Sequence, residues 1–374
     1  MKKIIVFVGT RPEAIKMAPV VAALRATPTA FETRVCSSGQ HRELLASALF
    51  EFGVTPDISL DVMTENQTLA GLSSRLFSSI DALLEAERPD AILVQGDTTT
   101  VAVAALCAFY RAIPVGHVES GLRSFDIRSP FPEEMNRRVA TLASRWHFAP
   151  TEKARANLIA EGVPVEAIHV VGNTVIDALL LTVAQVRRQP PPFPHPLAAA
   201  DLEGRAIVLV TAHRRENHGT RLQQICGAIR RLAAAHPEAR FVYPVHPNPN
   251  VVAVASEMLS GLANVLLVEP MAYRAFVRLL DMSCLVLTDS GGLQEEAPSL
   301  GKPVLVMRDV TERPEGVDAG VNRLVGADPD VIFAAVDELL RDPQRRKAMT
   351  SMGNPFGEGV AGAMIADTLK RDLA

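Results

Sequence analysis

Short apolar runs recur along the chain, each followed by a polar or glycine-rich turn and then by a stretch with helical spacing. Residues 4–8, 91–94, 114–118, 169–171, 207–210, 241–245, 265–268, 284–287 and 304–307 are largely continuous in apolar character rather than alternating. Runs of that kind are expected of strands buried on both faces, as in a parallel sheet covered by helices. Helical periodicity fills the intervals, for example over 13–25, 99–111, 221–235 and 329–340. The alternation predicts an α/β, doubly wound architecture. Nine or more strands would overfill one sheet, and 374 residues suit two domains. The expectation is therefore two Rossmann-like halves, 1–172 and 173–359, with the break near Gly172-Asn173. The proline-rich stretch 190–196 reads either as a linker or as a surface loop of the second half; the helical pattern at 175–188 just before it favours the loop.

Composition narrows the function classes. Hydrophobic residues make up 48% and charged residues 21%, the balance of an ordinary globular chain. A net charge of −4 with acids and bases interspersed leaves no basic footprint, which argues against a nucleic-acid partner. Cys36, Cys107, Cys226 and Cys284 are scattered and form no CxxC pair, so buried thiols are expected rather than a metal site. The apolar run at 4–8 is too short for a signal peptide, and no run approaches the ~18 residues of a membrane span, so a cytoplasmic protein is expected.

In an open parallel sheet, ligands bind beyond the carboxyl ends of the strands, so the residues that follow each run are the ones to read. They are Gly9-Thr10-Arg11-Pro12-Glu13 with Lys16 a turn further on, Gly96-Asp97-Thr98, His117-Val118-Glu119, Ala212-His213-Arg214, His246-Pro247 and Asp289-Ser290-Gly291-Gly292. Arg11 and Lys16 bracket a helix start, where cations oppose the helix dipole, and this points to an anionic ligand. Ser290, Gly291 and Gly292 would aim backbone N–H groups at an anion, with Glu296 a turn into the helix and able to accept from ribose hydroxyls; a plain helix cap would look the same. Asp97 and Glu119 follow strands, and Glu133 and Glu134 open a further helix. Neighbouring carboxylates raise one another's pKa and divide acid and base roles. A cleft between the halves, lined by carboxylates, imidazoles and guanidinium groups, is the expected site.

The strings GTRPEAIKMAP, SGQHRELL, GDTTT, HVESGLRS, PEEMNRR, HFAPTE, VGNTVIDAL, TAHRREN, TDSGGLQEEAPSLGKPVLVMRD and TERPEG resemble the bacterial non-hydrolysing UDP-N-acetylglucosamine 2-epimerases. The resemblance runs from Gly9 to about Gly359 in unchanged order. It implies a GT-B-like pair of Rossmann-like domains, with a C-terminal helix at 360–374 joined to the first, and a homodimer. It also implies reversible interconversion of UDP-GlcNAc and UDP-ManNAc, without cofactor or metal, by elimination and re-addition of UDP through a glycal. Carried over by motif, the catalytic set would be Asp97, Glu119, Glu133, His213 and Arg137. Besides Asp97, Glu119 and His213, the substrate-binding set would be Arg11, Lys16, Met271, Phe276, Ser290, Gly291, Gly292, Glu296 and Arg313. A regulatory UDP-GlcNAc site would match Gln40, His41, Gln67, Glu134, Arg214 and His246. Here the chain departs from the family pattern: Asn66 stands where an arginine commonly precedes Gln67, and Pro247 follows His246, which weakens the expectation of activation at that site. A GT-B glycosyltransferase, a hydrolysing epimerase and a nucleotide-sugar-binding regulator are the other classes this pattern leaves open.

Overall fold

The computed structural model describes residues 1–39, 49–64 and 66–374. They form two compact units, Met1–Ala178 with Phe356–Ala374, and Leu179–Pro355. The first holds a seven-stranded sheet built from β1 (Lys2–Val8), β2 (Phe31–Ser37), β3 (Ile58–Ser59), β4 (Ala91–Gln95), β5 (Val115–Val118), β6 (Trp146–Ala149) and β7 (Ile168–Val170), in the order β3-β2-β1-β4-β5-β6-β7. The second holds a six-stranded sheet of β8 (Ile207–Thr211), β9 (Arg240–Pro244), β10 (Val265–Val268), β11 (Leu285–Thr288), β12 (Val304–Val306) and β13 (Asn322–Leu324), in the order β10-β9-β8-β11-β12-β13. Every pairing in both sheets is parallel. The expected pair of doubly wound sheets is present.

Central strands β4, β5, β8 and β11 are buried along their whole length, which is why their sequences run continuously apolar. Four strands escaped the sequence pattern. In β2, Glu32 and Arg34 interrupt the apolar run; β3 has two residues; β6 follows directly on a helix; and β13 at the sheet edge exposes Arg323. Strand order reverses between β1 and β4 in the first sheet and between β8 and β11 in the second. Such switch points leave a crevice at the strands' carboxyl ends. Among the described residues no helix is long and apolar enough to cross a membrane.

The last helix, Ala361–Asp372, packs on the first, Arg11–Arg25. Ile365, Leu369 and Leu373 join the core of Ile4, Val6 and Leu24, while the Trp146 indole donates to Asp372 at 2.9 Å. Gly362 makes the close approach: a Cβ there would lie 2.9 Å from the Pro19 carbonyl oxygen. Gly362→Val is expected to cost about 1–3 kcal/mol by overpacking, read as a lower denaturant midpoint with unchanged slope.

Candidate active site

The turn from β1 into the first helix is fastened by a capping box. Thr10 accepts from the Glu13 N–H, and the Glu13 carboxylate accepts from Gly9 N and from Thr10 N at 3.2 Å. Pro12 fits at the first helical positions, where its missing N–H is no loss. One turn on, Lys16 Nζ reaches Glu119 Oε2 at 2.6 Å. The cation placed at this helix start is thus answered by a carboxylate from the end of β5.

Neighbouring strand ends are aligned by a ladder bond, Gly96 N donating to Val118 O at 3.1 Å, which sets the Asp97 turn beside the Glu119 turn. Glu119 has φ of 63°, the left-handed region that a side chain other than glycine enters at some cost. This backbone turns its carboxylate to Lys16 and to the Gln95 amide, which also donates to it. Asp97 pairs with Arg137, and its carbonyl accepts from Asn136 Nδ2 at 2.9 Å. Burial raises the Asp97 carboxyl above the usual range; Arg137 opposes that and Glu119 adds to it. Two carboxylates and two cations therefore share one sheet edge of the first unit. Behind them His117 Nε2 bonds Gly96 O at 2.8 Å, and burial holds its pKa down at about 3, so the ring is a neutral clamp on the turn that carries Asp97.

Glu133 opens the helix Glu133–Ala143, half-buried, with no described hydrogen bond joining it to Asp97 or Glu119. Glu134 is 0% exposed and points inward, accepting from Ser124 N at 3.0 Å, Arg137 at 3.3 Å and Arg138 at 3.1 Å. It braces Arg137 from behind. Gln67 accepts from Thr64 N and from Arg75, and Asn66 beside it has φ of 51°. Gln40 and His41 lie outside the described residues.

The second unit gathers its polar groups around Asp289. This residue is 0% exposed, and its Oδ2 accepts from His213 N at 2.9 Å, Arg214 N at 2.9 Å and Asn217 Nδ2 at 3.0 Å. His213 Nδ1 stands 3.2 Å from Oδ1. The His213 ring stacks on His246 with centroids 5.7 Å apart, and burial lowers its pKa despite the nearby Asp289 carboxylate. A Cβ on Gly291 would lie 3.3 Å from Arg313 Cζ and 3.5 Å from Arg214 Nη2, so two guanidinium groups crowd the backbone there. Arg313 is held by Glu295 at 2.7 Å. Ser290 N donates to Thr288 Oγ1 at 2.9 Å, while Gly292 is exposed and Glu296 ends the short helix Gly291–Glu296. Phe276 and Met271 are half-buried, Phe276 within the helix Tyr273–Met282 and Met271 just before it, and Arg11 is half-buried at its helix start.

The structure thus brings Lys16, Asp97, Glu119 and Arg137 together in one unit, and His213, Arg214, His246, Gly291 and Arg313 in the other. Sequence reasoning counted Glu13, His117 and Asp289 among the strand-end residues without giving them a role, and it passed over Gln95 and Asn136. Their signal was polarity in the wrong place: Gln95 and His117 interrupt apolar strands, and Asp289 follows one.

Comparison with known proteins bears on this arrangement. The family model of UDP-N-acetylglucosamine 2-epimerase matches residues 22–370. The chain belongs to the UDP-N-acetylglucosamine 2-epimerase family. A UDP-N-acetylglucosamine 2-epimerase of Yersinia pestis is 49% identical over 373 residues, covering 99% of this chain and 98% of its own. That of Escherichia coli K12 is 47% identical over 377 residues, covering 100% and 99%. The crystal structure of UDP-GlcNAc 2-epimerase from Neisseria meningitidis bound to UDP-GlcNAc is similar throughout, with 45% identity, a TM-score of 0.86, and 99% and 100% of the two chains covered. An isomerase built on two Rossmann-like units is the class to which this epimerase-family chain belongs.

Proposed function

We propose that this epimerase-family chain inverts carbon 2 of UDP-N-acetylglucosamine to give UDP-N-acetylmannosamine, reversibly and without net hydrolysis. The observation that carries the reading is the pair Asp97 and Glu119, set side by side on adjacent strand ends and each braced by a cation. The hydrogen on carbon 2 is not next to a carbonyl and is weakly acidic. A carboxylate removes it as a proton; the C–H electron pair forms the double bond to carbon 1, and the bond from carbon 1 to the diphosphate breaks with its pair leaving on UDP. Delivery of a proton to the opposite face of the glycal, and return of UDP to carbon 1, complete the inversion. A carboxyl raised by burial, as at Asp97, suits proton exchange with carbon 2, and the neighbouring Glu119 carboxylate offers a second group for the other face.

The departing anion needs donors that are in place beforehand. In this reading Arg313, His213 and the Ser290–Gly292 backbone hold the diphosphate. With Nδ1 beside Asp289 Oδ1, donation from His213 Nε2 to the diphosphate takes the protonated ring, which burial disfavours and the Asp289 carboxylate and the incoming anion favour. Arg11 stays among the proposed substrate-binding residues, as do Lys16, Met271, Phe276 and Glu296. Glu133 is proposed to act with the Asp97–Glu119 pair on the pyranose. Gln67, Glu134, Arg214 and His246 are the described members of the proposed regulatory set, with Gln40 and His41. A homodimeric assembly and a domain boundary at 172/173, with 360–374 joined to the first part, remain part of the proposal, as does a cytoplasmic setting.

UDP-GlcNAc alone in deuterated water is expected to yield UDP-ManNAc carrying deuterium at carbon 2, followed by proton NMR. Retention of the original hydrogen would exclude the elimination route. A glycosyltransferase would need an acceptor to turn over, and a hydrolysing epimerase would release free sugar and UDP.

A further inference from the structure

Arg308 stands two residues beyond the end of β12, is 6% exposed, and has no part in the proposed reaction. A buried guanidinium is costly unless carboxylates answer it. Its Nε donates to Glu216 Oε1 at 2.6 Å, and its terminal nitrogens fork onto Glu312, Nη1 to Oε2 at 2.7 Å and Nη2 to Oε1 at 3.1 Å. Glu216 lies in the turn that begins at His213, and Glu312 is the residue before Arg313. The Glu312 carboxylate therefore lies between two arginines, but unequally. The Oε2 that takes Arg308 at 2.7 Å is 3.6 Å from Arg313 Nη1. Arg313 is fixed from other directions, its Nε donating to Glu295 at 2.7 Å and its backbone N–H to Thr311 Oγ1 at 3.1 Å. A two-pronged pair at close range outweighs a single contact nearly an ångström longer.

We propose that Arg308 is a positioning residue of the nucleotide site, whose fork holds the Glu312 carboxylate off Arg313 and so preserves the positive charge with which Arg313 meets the diphosphate. Arg308 itself is turned to Glu216 and Glu312 and acts on the ligand only through its neighbour. The Glu312 side chain is 56% exposed, so it has room to swing once released, and Arg313 is the cation already within 3.6 Å. A carboxylate drawn onto Arg313 in addition to Glu295 would cancel its charge and compete with phosphate oxygens for the same N–H groups. The hydrogen bonds from Arg308 are the main cause holding the Glu312 carboxyl down at about 2, burial opposes them, and Arg313 contributes least. Glu312 therefore stays ionised throughout the neutral range, and the competition has to be prevented by geometry rather than by protonation. The inference rests on the reading of Arg313 as a diphosphate donor, but the hold on Glu312 can be measured without nucleotide.

Isothermal titration of UDP is expected to show Arg308→Gln binding at least about tenfold more weakly than wild type, as when one charge-assisted bond to phosphate is lost. Adding Glu312→Gln to that variant should bring the affinity back to within a few-fold of wild type, because the competing charge is gone. Glu312→Gln alone leaves Arg308 on Glu216 and should bind UDP no more weakly than wild type. A role confined to stability gives the opposite order, with the double variant no better than Arg308→Gln. Failure of the double variant to recover overturns the proposal. So does weakened binding in Glu312→Gln, a result that stands even if Arg308→Gln does not fold. Without nucleotide, the coupling of Glu312 to Arg313, taken from denaturant midpoints of Glu312→Gln, Arg313→Gln and the pair, should be small and should rise once Arg308→Gln is present. An unchanged coupling overturns the hold on Glu312. If the coupling rose while Arg313→Gln bound UDP as tightly as wild type, the diphosphate reading of Arg313 would fail and the Arg308 fork would stand.

Discussion

Asp97→Asn and Glu119→Gln are each expected to lower kcat by roughly 10²- to 10⁴-fold, the range for loss of a positioned acid or base. UDP is expected to bind both variants within a few-fold of wild type, because neither substitution removes a proposed diphosphate donor. Each substitution keeps the volume and most hydrogen bonds, so the fold should survive. What changes is charge. The first substitution would leave Arg137 to Glu134 as its ionic partner, and the second would leave Lys16 facing a neutral amide in place of the carboxylate. The left-handed backbone at Glu119 adds a second expectation. Strain held at a functional turn is retained because the side chain's direction matters. Glu119→Gly should therefore relax the backbone and offset part of the stability lost with the Lys16 pair, yet be no more active than Glu119→Gln. Steady-state kinetics with isothermal titration of UDP separates the outcomes; near-wild-type rates in both isosteric variants would remove the pair from the reaction.

Asp289→Ala is expected to do the most damage in the second unit. One buried carboxylate oxygen holds three donors, from His213, Arg214 and Asn217. Ladder bonding of Asp289 N to Thr211 O at 3.1 Å places it beside the end of β8. Removing the carboxylate leaves those donors without an acceptor at a position where Asp289 itself and Asn217 are buried. Such a loss costs about 3–5 kcal/mol when the acceptor is charged. The turn 213–217 should then detach, which takes His213 off His246 and Arg214 off Gly291. A Tm fall of several degrees together with at least about tenfold weaker UDP binding is expected, since one lost charge-assisted bond to phosphate is worth roughly 1.5–3 kcal/mol. UDP affinity equal to wild type would mean that the turn takes no part in holding the nucleotide.

How much of this was legible beforehand differs from element to element. The buried central strands could be read because residues covered on both faces have no reason to alternate, and β8 and β11 carry that signature throughout. β2 and β13 could not, since edge or partly solvated strands admit Glu32, Arg34 and Arg323 and lose the pattern. Asp97, Glu119 and His213 could be singled out because parallel sheets deliver ligand groups at strand ends. Which partner each would find was beyond any local rule. Lys16 looked like an anion grip and meets Glu119 in the structure; Glu134 resembled an effector contact and lies behind Arg137.

From the order of its residues alone, the chain determined a doubly wound α/β architecture and the list of strand-end groups, because periodicity and turn chemistry are local properties. Membership in the epimerase family was legible in the same strings, which run through nearly the whole length. Only the tertiary structure decided that Glu13, distant from Asp97 in sequence, shares its burial, and that a single Asp289 carboxylate organises the His213 turn. Burial and long-range hydrogen bonding depend on which strands become neighbours. That choice is made by the packing of whole sheets, and no window of sequence contains it.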